Sequence, residues 1–95
     1  MSGLRFAWDS EKAQSNLSKH GVSFELGRTL FADPDEVMLP DPDHSIEEER
    51  FISIGRAADG ELMLACYTEN DELIRLISVR KATSPEIRIY RGHGE

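Results

Sequence analysis

His20 is the side chain in this sequence whose type and position best suit acid–base chemistry. It lies in the motif KHG, where one helical pattern ends and a second begins. Histidine exchanges a proton near neutral pH, and Lys12, Asn16 and Lys19 recur on the same side of the helix. The alternative is structural, because a histidine in the last turn of a helix commonly caps the final carbonyl groups. Both interpretations remain open at this point.

Arg50 and Arg75 are candidates for binding an anion. A guanidinium donates two parallel hydrogen bonds to a phosphate and keeps its charge at physiological pH. If Thr68 lies opposite Leu73, strand alternation brings both arginines to one end of the same sheet face, with Arg75 opposite Cys66. The alternative is that both arginines form ion pairs with an acidic segment at the rim of the sheet.

The segment DPDHS offers three side chains that can bind metal ions, Asp41, Asp43 and His44. An EF-hand loop would need glycine where Ile46 stands and glutamate where Ile52 stands. A zinc site would need closely spaced cysteine or histidine, and those residues are scattered along this chain. The segment therefore indicates a solvated acidic loop, and we expect no metal and no other cofactor.

Three helices are predicted from local capping signals. Asp9 or Ser10 caps the first helix. This helix ends at about His20, because Gly21 fits the left-handed position just past a helix end. The segment FELGRTLF indicates a short second helix, and Pro85 fits the first position of a terminal helix.

Five segments are strand candidates, namely RFAWD, VMLP, RFISIGRA, ELMLACYT and LIRLISVR. The last three are joined by turns short enough for antiparallel hairpins. The order β-α-α-β-β-β-β-α predicts an α+β fold, in which helices pack on one face of an antiparallel β-sheet. Alternation assigns eight residues to that covered face: Ile52, Ile54, Leu62, Leu64, Cys66, Leu73, Ile77 and Val79. The opposite face would form the floor of a shallow groove.

Length and composition indicate one domain spanning residues 1–95. The net charge is −7, which argues against a protein that coats nucleic acid by bulk attraction. The charge is uneven, because residues 33–49 carry eight acids and no Lys or Arg, whereas residues 75–91 carry five bases and one acid. A single cysteine and the lack of an apolar leader or membrane span predict a cytoplasmic protein.

Several motifs together resemble the BrnT family of type II toxins. They are Trp8-Asp9, N..KHGVSF, EERF..IGR, YTE and R.IS.RKA, and the resemblance extends from about Phe6 to Tyr90. It implies a RelE-like fold and a metal-independent endoribonuclease that cleaves cellular RNA and inhibits translation. It also implies a BrnA-like antitoxin with a ribbon-helix-helix domain. The family suggests a 2:2 complex that contacts operator DNA only through the antitoxin.

The resemblance also implies a site of nine residues. Arg50, Arg75 and Arg80 become candidate phosphate ligands, and His20 becomes the group that moves a proton. The full catalytic prediction is His20, Arg50, Arg75, Arg80, Glu69 and Tyr90, with Lys19, Lys81 and Tyr67 as substrate-binding residues. In this mechanism the 2′-hydroxyl of the RNA attacks the adjacent phosphate.

A second function stays open. The chain has Asn70 where family members usually have an arginine after YTE, and its C-terminal helix is less basic than is typical of the family. The overall acidity also disfavours tight RNA binding. The alternative is therefore a catalytically weak BrnT-like binding module, which pairs with its antitoxin and modulates repression of their operon.

Overall fold

A five-stranded sheet organises the computed structural model, which describes residues 4–41 and 49–93. The elements are β1 (Arg5–Ala7), α1 (Ser10–His20), α2 (Phe24–Gly27), a 3₁₀ helix (Arg28–Ala32), β2 (Val37–Pro40), β3 (Phe51–Arg56), β4 (Leu62–Asn70), β5 (Leu73–Lys81) and α3 (Ser84–His93). The α+β class is as predicted. Asp43 and His44, of the predicted acidic loop, lie outside the described residues. Within them, no helix is long and apolar enough to cross a membrane.

The strand order is β1-β5-β4-β3-β2. Three neighbouring pairs are antiparallel, whereas β1 runs parallel to β5 with Arg5 opposite Leu73 and Ala7 opposite Arg75. The prediction of a purely antiparallel sheet is therefore wrong at this edge. The parallel pair arises because α1, α2 and three strands separate β1 from β5 in the chain, so no hairpin joins them.

The predicted caps of α1 are confirmed. The Asp9 carboxylate accepts a hydrogen bond of 2.8 Å from the Glu11 N–H, and Glu11 lies where the helix dipole favours an anion. At the other end, Gly21 has φ of 70° and donates its N–H to the Leu17 carbonyl at 2.9 Å. These contacts fix His20 as the last residue of the helix.

On β3 and β4, the face of the sheet covered by α1, α2 and the 3₁₀ helix is the opposite of the predicted one, whereas Val79 of β5 lies on the covered face as predicted. Its core contains Met63, Ala65 and Tyr67, and partly buried Phe51 packs against them. Small residues on this face let the helices approach closely. A Cβ placed on Gly55 would lie 3.0 Å from the Leu30 carbonyl oxygen. The sequence pattern separated the two faces of β3 and β4 but did not reveal which one the helices cover.

The pairing of β4 with β5 also differs from prediction. Asn70 lies opposite Leu73, so the loop contains only Asp71 and Glu72, both at positive φ (52° and 66°). Further along, the register shifts next to Cys66, which leaves Ile77 as the extra residue of a β-bulge. Two-residue turns of this kind usually have Gly at the second position, where this chain has Glu72, so the turn was not evident from the sequence pattern.

Helix α3 lies on the other face of the sheet. The side chain of Arg80 points there and bonds Glu86 of α3, whereas its neighbour Val79 belongs to the core beneath α1 and α2. Ile54 and Leu64 are buried on this second face. The prediction that all helices pack on one face is therefore wrong, because both faces of β3 and β4 are apolar enough to be covered.

Candidate functional site

Asn16 attaches α1 to the edge of β5. Its Nδ2 donates to the carbonyls of Val22 (2.9 Å) and Val79 (2.8 Å), and its Oδ1 accepts from the Val79 N–H (3.0 Å). The carboxamide thus pairs with Val79 as a neighbouring strand would, beyond the point where β1 ends. Asn16 is buried, so it is a structural anchor and not part of an exposed polar patch.

A shallow pocket of about 140 Å³ lies between α1 and β5 beside this anchor. Residues at helical spacing supply one wall, namely Lys12, Ser15, Asn16, Lys19 and His20, and the bulge of β5 supplies the other with Ile77 and Ser78. Lys19 and His20 are exposed. The predicted proximity of Lys12, Lys19 and His20 is therefore confirmed.

A second pocket of about 140 Å³ adjoins the first where β1 ends and the chain leaves the sheet towards α1. It is lined by Asp9, Lys12, Arg50, Thr68, Arg75, Leu76 and Ile77. Lys12 and Ile77 line both pockets, so the two pockets adjoin, and we call them together the α1–β5 groove.

Arg50 and Arg75 belong to one row across three strands. Thr68 lies opposite Arg75, and the pairing of Phe51 with Tyr67 brings Arg50 beside Thr68. With strands about 4.8 Å apart, the two arginine Cα atoms are about 10 Å from each other. The prediction that they meet at one end of the sheet is confirmed, although Arg75 lies opposite Thr68 and not Cys66.

The α1–β5 groove is basic within an acidic protein. Four Lys and Arg side chains and one carboxylate line it, giving a charge of +3 with His20 neutral, against −7 for the whole chain. Such a local surplus of positive charge favours a polyanion over a neutral ligand. The groove can bind phosphate groups and has a histidine at one end.

Arg80 does not join this site. Both of its terminal nitrogens bond Glu86, at 2.9 and 2.8 Å, and this pairing lowers the pKa of the Glu86 carboxyl to about 2. Five residues of extended chain also separate Arg80 from Arg75, about 16 Å. The prediction that Arg80 converges with Arg50 and Arg75 is wrong, because Arg80 lies at the far end of β5, opposite Leu64, where Glu86 of α3 binds its guanidinium.

Tyr67 is not a surface residue. It is 1% exposed, and its hydroxyl lies 2.6 Å from that of Ser53, which donates to the Glu36 carboxylate at 2.6 Å. Since the Ser53 proton is used in that bond, Tyr67 donates to Ser53. Burial raises the pKa of Tyr67 to about 12 and also raises the pKa of Glu36. The predicted contact between Tyr67 and substrate is therefore wrong.

Three further predicted residues lie apart from the groove in the described part of the chain. The Tyr90 hydroxyl, on α3, donates to Asp33 at 2.7 Å. Glu69 is exposed near the β4–β5 turn, opposite Ile74, whereas Lys81 is exposed at the far end of β5. The structure thus brings together His20, Lys19, Arg50 and Arg75 from the predicted set.

Lys12 was not included in the predicted site, although it lines both halves of the groove. Lys12 and Lys19 are seven residues apart, and this spacing indicates that both lie on the same side of α1. Among residues 4–41 and 49–93, no three His, Cys, Asp or Glu side chains lie close enough together to hold a metal ion.

Two comparisons with known proteins bear on this chain. A family model described as the ribonuclease toxin BrnT of a type II toxin–antitoxin system matches residues 8–86. The 1.1 Å crystal structure of the Brucella abortus ribonuclease toxin BrnT is similar in fold, with 22% identity and a TM-score of 0.58 over 85% of this chain and 99% of that one. No curated protein matches. Because the family model covers most of the sequence, the chain belongs to the BrnT family of ribonuclease toxins of type II toxin–antitoxin systems.

Proposed function

We propose that this protein is a metal-independent endoribonuclease that cleaves cellular RNA and so inhibits translation in the cytoplasm. We further propose that its fold is RelE-like. The observation that carries the proposal is the α1–β5 groove, a basic depression with a histidine at one end in a protein of net charge −7. Membership of a ribonuclease toxin family supplies the reaction class.

In the proposed mechanism the 2′-hydroxyl of the RNA loses its proton to solvent and attacks the neighbouring phosphate. The bond from phosphorus to the 5′-oxygen of the next nucleotide breaks, a 2′,3′-cyclic phosphate forms, and the departing 5′-oxygen takes a proton from His20. Arg50 and Arg75 hold that phosphate and stabilise its added negative charge, and His20 transfers a proton. Lys12, which lines both pockets, and His20 are about 12 Å apart along α1. Lys12 and Lys19 neutralise the flanking backbone.

The expected contributions follow from these roles. Loss of a well-placed donor to the transition-state charge costs about 10²- to 10³-fold in rate. Loss of the proton-transfer group costs about 10²- to 10⁴-fold. Glu69 remains a predicted partner in proton transfer, although it does not line the groove as the described residues form it.

The test is cleavage of purified total RNA in the presence of a chelator. Wild-type protein should cut the RNA, whereas Arg75→Ala and His20→Ala should each be at least about 100-fold slower. Arg88→Ala and Gln14→Ala are matched controls, since both residues are exposed and do not line the groove. Full activity of both groove variants would show that the assignment is wrong.

One observation favours the alternative of a catalytically weak binding module. Arg80 is held by Glu86, so one fewer guanidinium is available to RNA than the sequence suggested. In that case RNA treated with the wild-type protein would stay intact in the same assay, while the protein would still bind its antitoxin. Measuring both properties on one preparation separates the two functions.

The family description implies an antitoxin partner. We propose that this antitoxin is BrnA-like, contains a ribbon-helix-helix domain and forms a 2:2 complex with the toxin. The acidity of the toxin supports a further point, that operator DNA is contacted only through the antitoxin. Light scattering of the co-purified complex tests the stoichiometry.

A further inference from the structure

The edge of the sheet formed by β2 is partly closed to a further strand. The Asp41 N–H donates to the Arg50 carbonyl at 2.9 Å, so alternation along β2 directs the backbone groups of Met38 and Pro40 outward. Proline has no N–H, which removes one of these two outward donors. A strand added at this edge could pair with Met38, but its ladder would be interrupted at Pro40.

Within residues 4–41 and 49–93, no strand pairs with the outer edge of β1. The Arg5 N–H donates to the Glu72 carbonyl at 2.9 Å, so the inward-facing backbone groups of β1 belong to Arg5 and Ala7. The N–H and C=O of Phe6 consequently point away from β5, and no proline interrupts the strand. A partner strand can pair with Phe6 at this edge.

A wide, open cavity of about 450 Å³ lies on the surface beside this edge, between β1 and the second helical region. Its lining consists of Leu4, Arg5, Phe6, Trp8, Glu25 and Arg28. Aromatic rings form the apolar part, and the Arg28 guanidinium lies 5.8 Å from the centre of the Phe6 ring. Arg5 and Arg28 outnumber Glu25, so the cavity is locally positive in an acidic protein. It suits a large apolar side chain flanked by a carboxylate.

We infer that the antitoxin docks here, by adding an extended segment to the sheet as a sixth strand outside β1. Backbone pairing with Phe6 would give affinity, and the cavity would receive an apolar side chain next to an acidic one, as in other cases of strand addition. The occupant is a protein because the family pairs with a protein antitoxin. The surface shares no lining residue with the α1–β5 groove.

The position of this edge also suggests how docking silences the toxin. Trp8 lines the cavity, and the next residue, Asp9, lines the arginine half of the groove. A bound segment that continues past Ala7 would lie at the entrance to the groove and hinder RNA. This consequence rests on the proposed function, whereas docking at β1 does not.

Amide hydrogen exchange tests the docking directly. The probe is the protein encoded by the reading frame beside the toxin gene, co-expressed with the full toxin chain. On complex formation, exchange of the Phe6 amide should slow at least about tenfold, and that of Met38 on the opposite edge should stay the same. A complex that leaves the Phe6 amide unprotected, or failure of this probe to bind at all, would overturn the inference.

A charge-reversal pair supplies a second measurement. Arg28→Glu should weaken binding of the same probe at least about tenfold, because it repels the carboxylate predicted in the cavity. Arg88→Glu, at an exposed position of α3, is the matched control and should change affinity less than about twofold. Equal effects of the two variants would refute docking at β1. RNA cleavage by free Arg28→Glu toxin should be normal, so failure of the nuclease proposal would be recognised separately.

Discussion

Helices α1 and α3 pack on opposite faces of one sheet, but different interactions attach them. Helix α1 is fixed by a buried carboxamide with three backbone hydrogen bonds. Helix α3 is fixed near its ends by polar contacts closer to solvent, the Arg80–Glu86 pair and the bond from Tyr90 to Asp33. The bonds that attach the helix carrying His20 are therefore shielded from water, whereas the polar contacts of α3 are ones that pH and salt can weaken.

The largest effect is expected from Asn16→Ala. The change leaves the buried N–H and C=O of Val79 without their side-chain partner, which costs about 3 kcal/mol of unfolding free energy. Ser18→Ala, exposed on the same helix, is the control and should change stability little. Urea denaturation of both variants measures the difference. A loss below about 1 kcal/mol for Asn16→Ala would contradict the anchor role.

Gly27→Ala tests how closely the helices pack on the sheet, compared with the looser environment of α3. A Cβ at residue 27 would lie 2.6 Å from a methyl group of Val79, and overpacking of this kind costs about 1–3 kcal/mol. Gly92→Ala in α3 is the matched control, because nothing lies within 4 Å of the added carbon and alanine favours the helix. Thermal unfolding should therefore shift down for residue 27 and slightly up for residue 92.

The same substitution, Tyr→Phe, can be compared at a buried tyrosine and at a tyrosine near the surface. Tyr67→Phe removes a buried hydroxyl that donates to Ser53, and we expect a loss of about 1.5 kcal/mol. Tyr90→Phe removes a bond to Asp33 near the surface, and about 0.5 kcal/mol is expected. Similar losses in denaturant titrations would mean that the bond near the surface stabilises the fold as much as the buried one.

Acid should loosen α3 through Glu86. Its folded-state pKa is about 2, below its ordinary value of 4.5, so the carboxylate stabilises the fold above about pH 4.5 and this contribution disappears as the pH falls towards 2. Arg80 is 35% exposed, so solvent screens the pair and about 1 kcal/mol is expected. Glu86→Gln should remove that part of the pH dependence, and Glu61→Gln should not. Unfolding measured from pH 6 to pH 2 gives the comparison.

The sequence alone determined the features that depend on near neighbours. The carboxylate of Asp9, the left-handed Gly21 and the capping hydroxyl of Ser23 each act within a few residues, so the limits of α1 and the start of α2 were predictable. The alternation along β3 and β4, and the approach of Arg50 to Arg75, followed in the same way from strand geometry.

Only the tertiary structure decided which face of the sheet the helices cover and where Arg80 points. The β4–β5 turn has Glu72 where such turns usually have Gly, and the bulge at Ile77 moves every later residue of β5 relative to β4. Both sheet faces are apolar, so hydrophobic pattern could not choose between them. The choice depended on small residues such as Gly55, which permit close approach of a helix, and that is a property of the packed layers and not of any one segment.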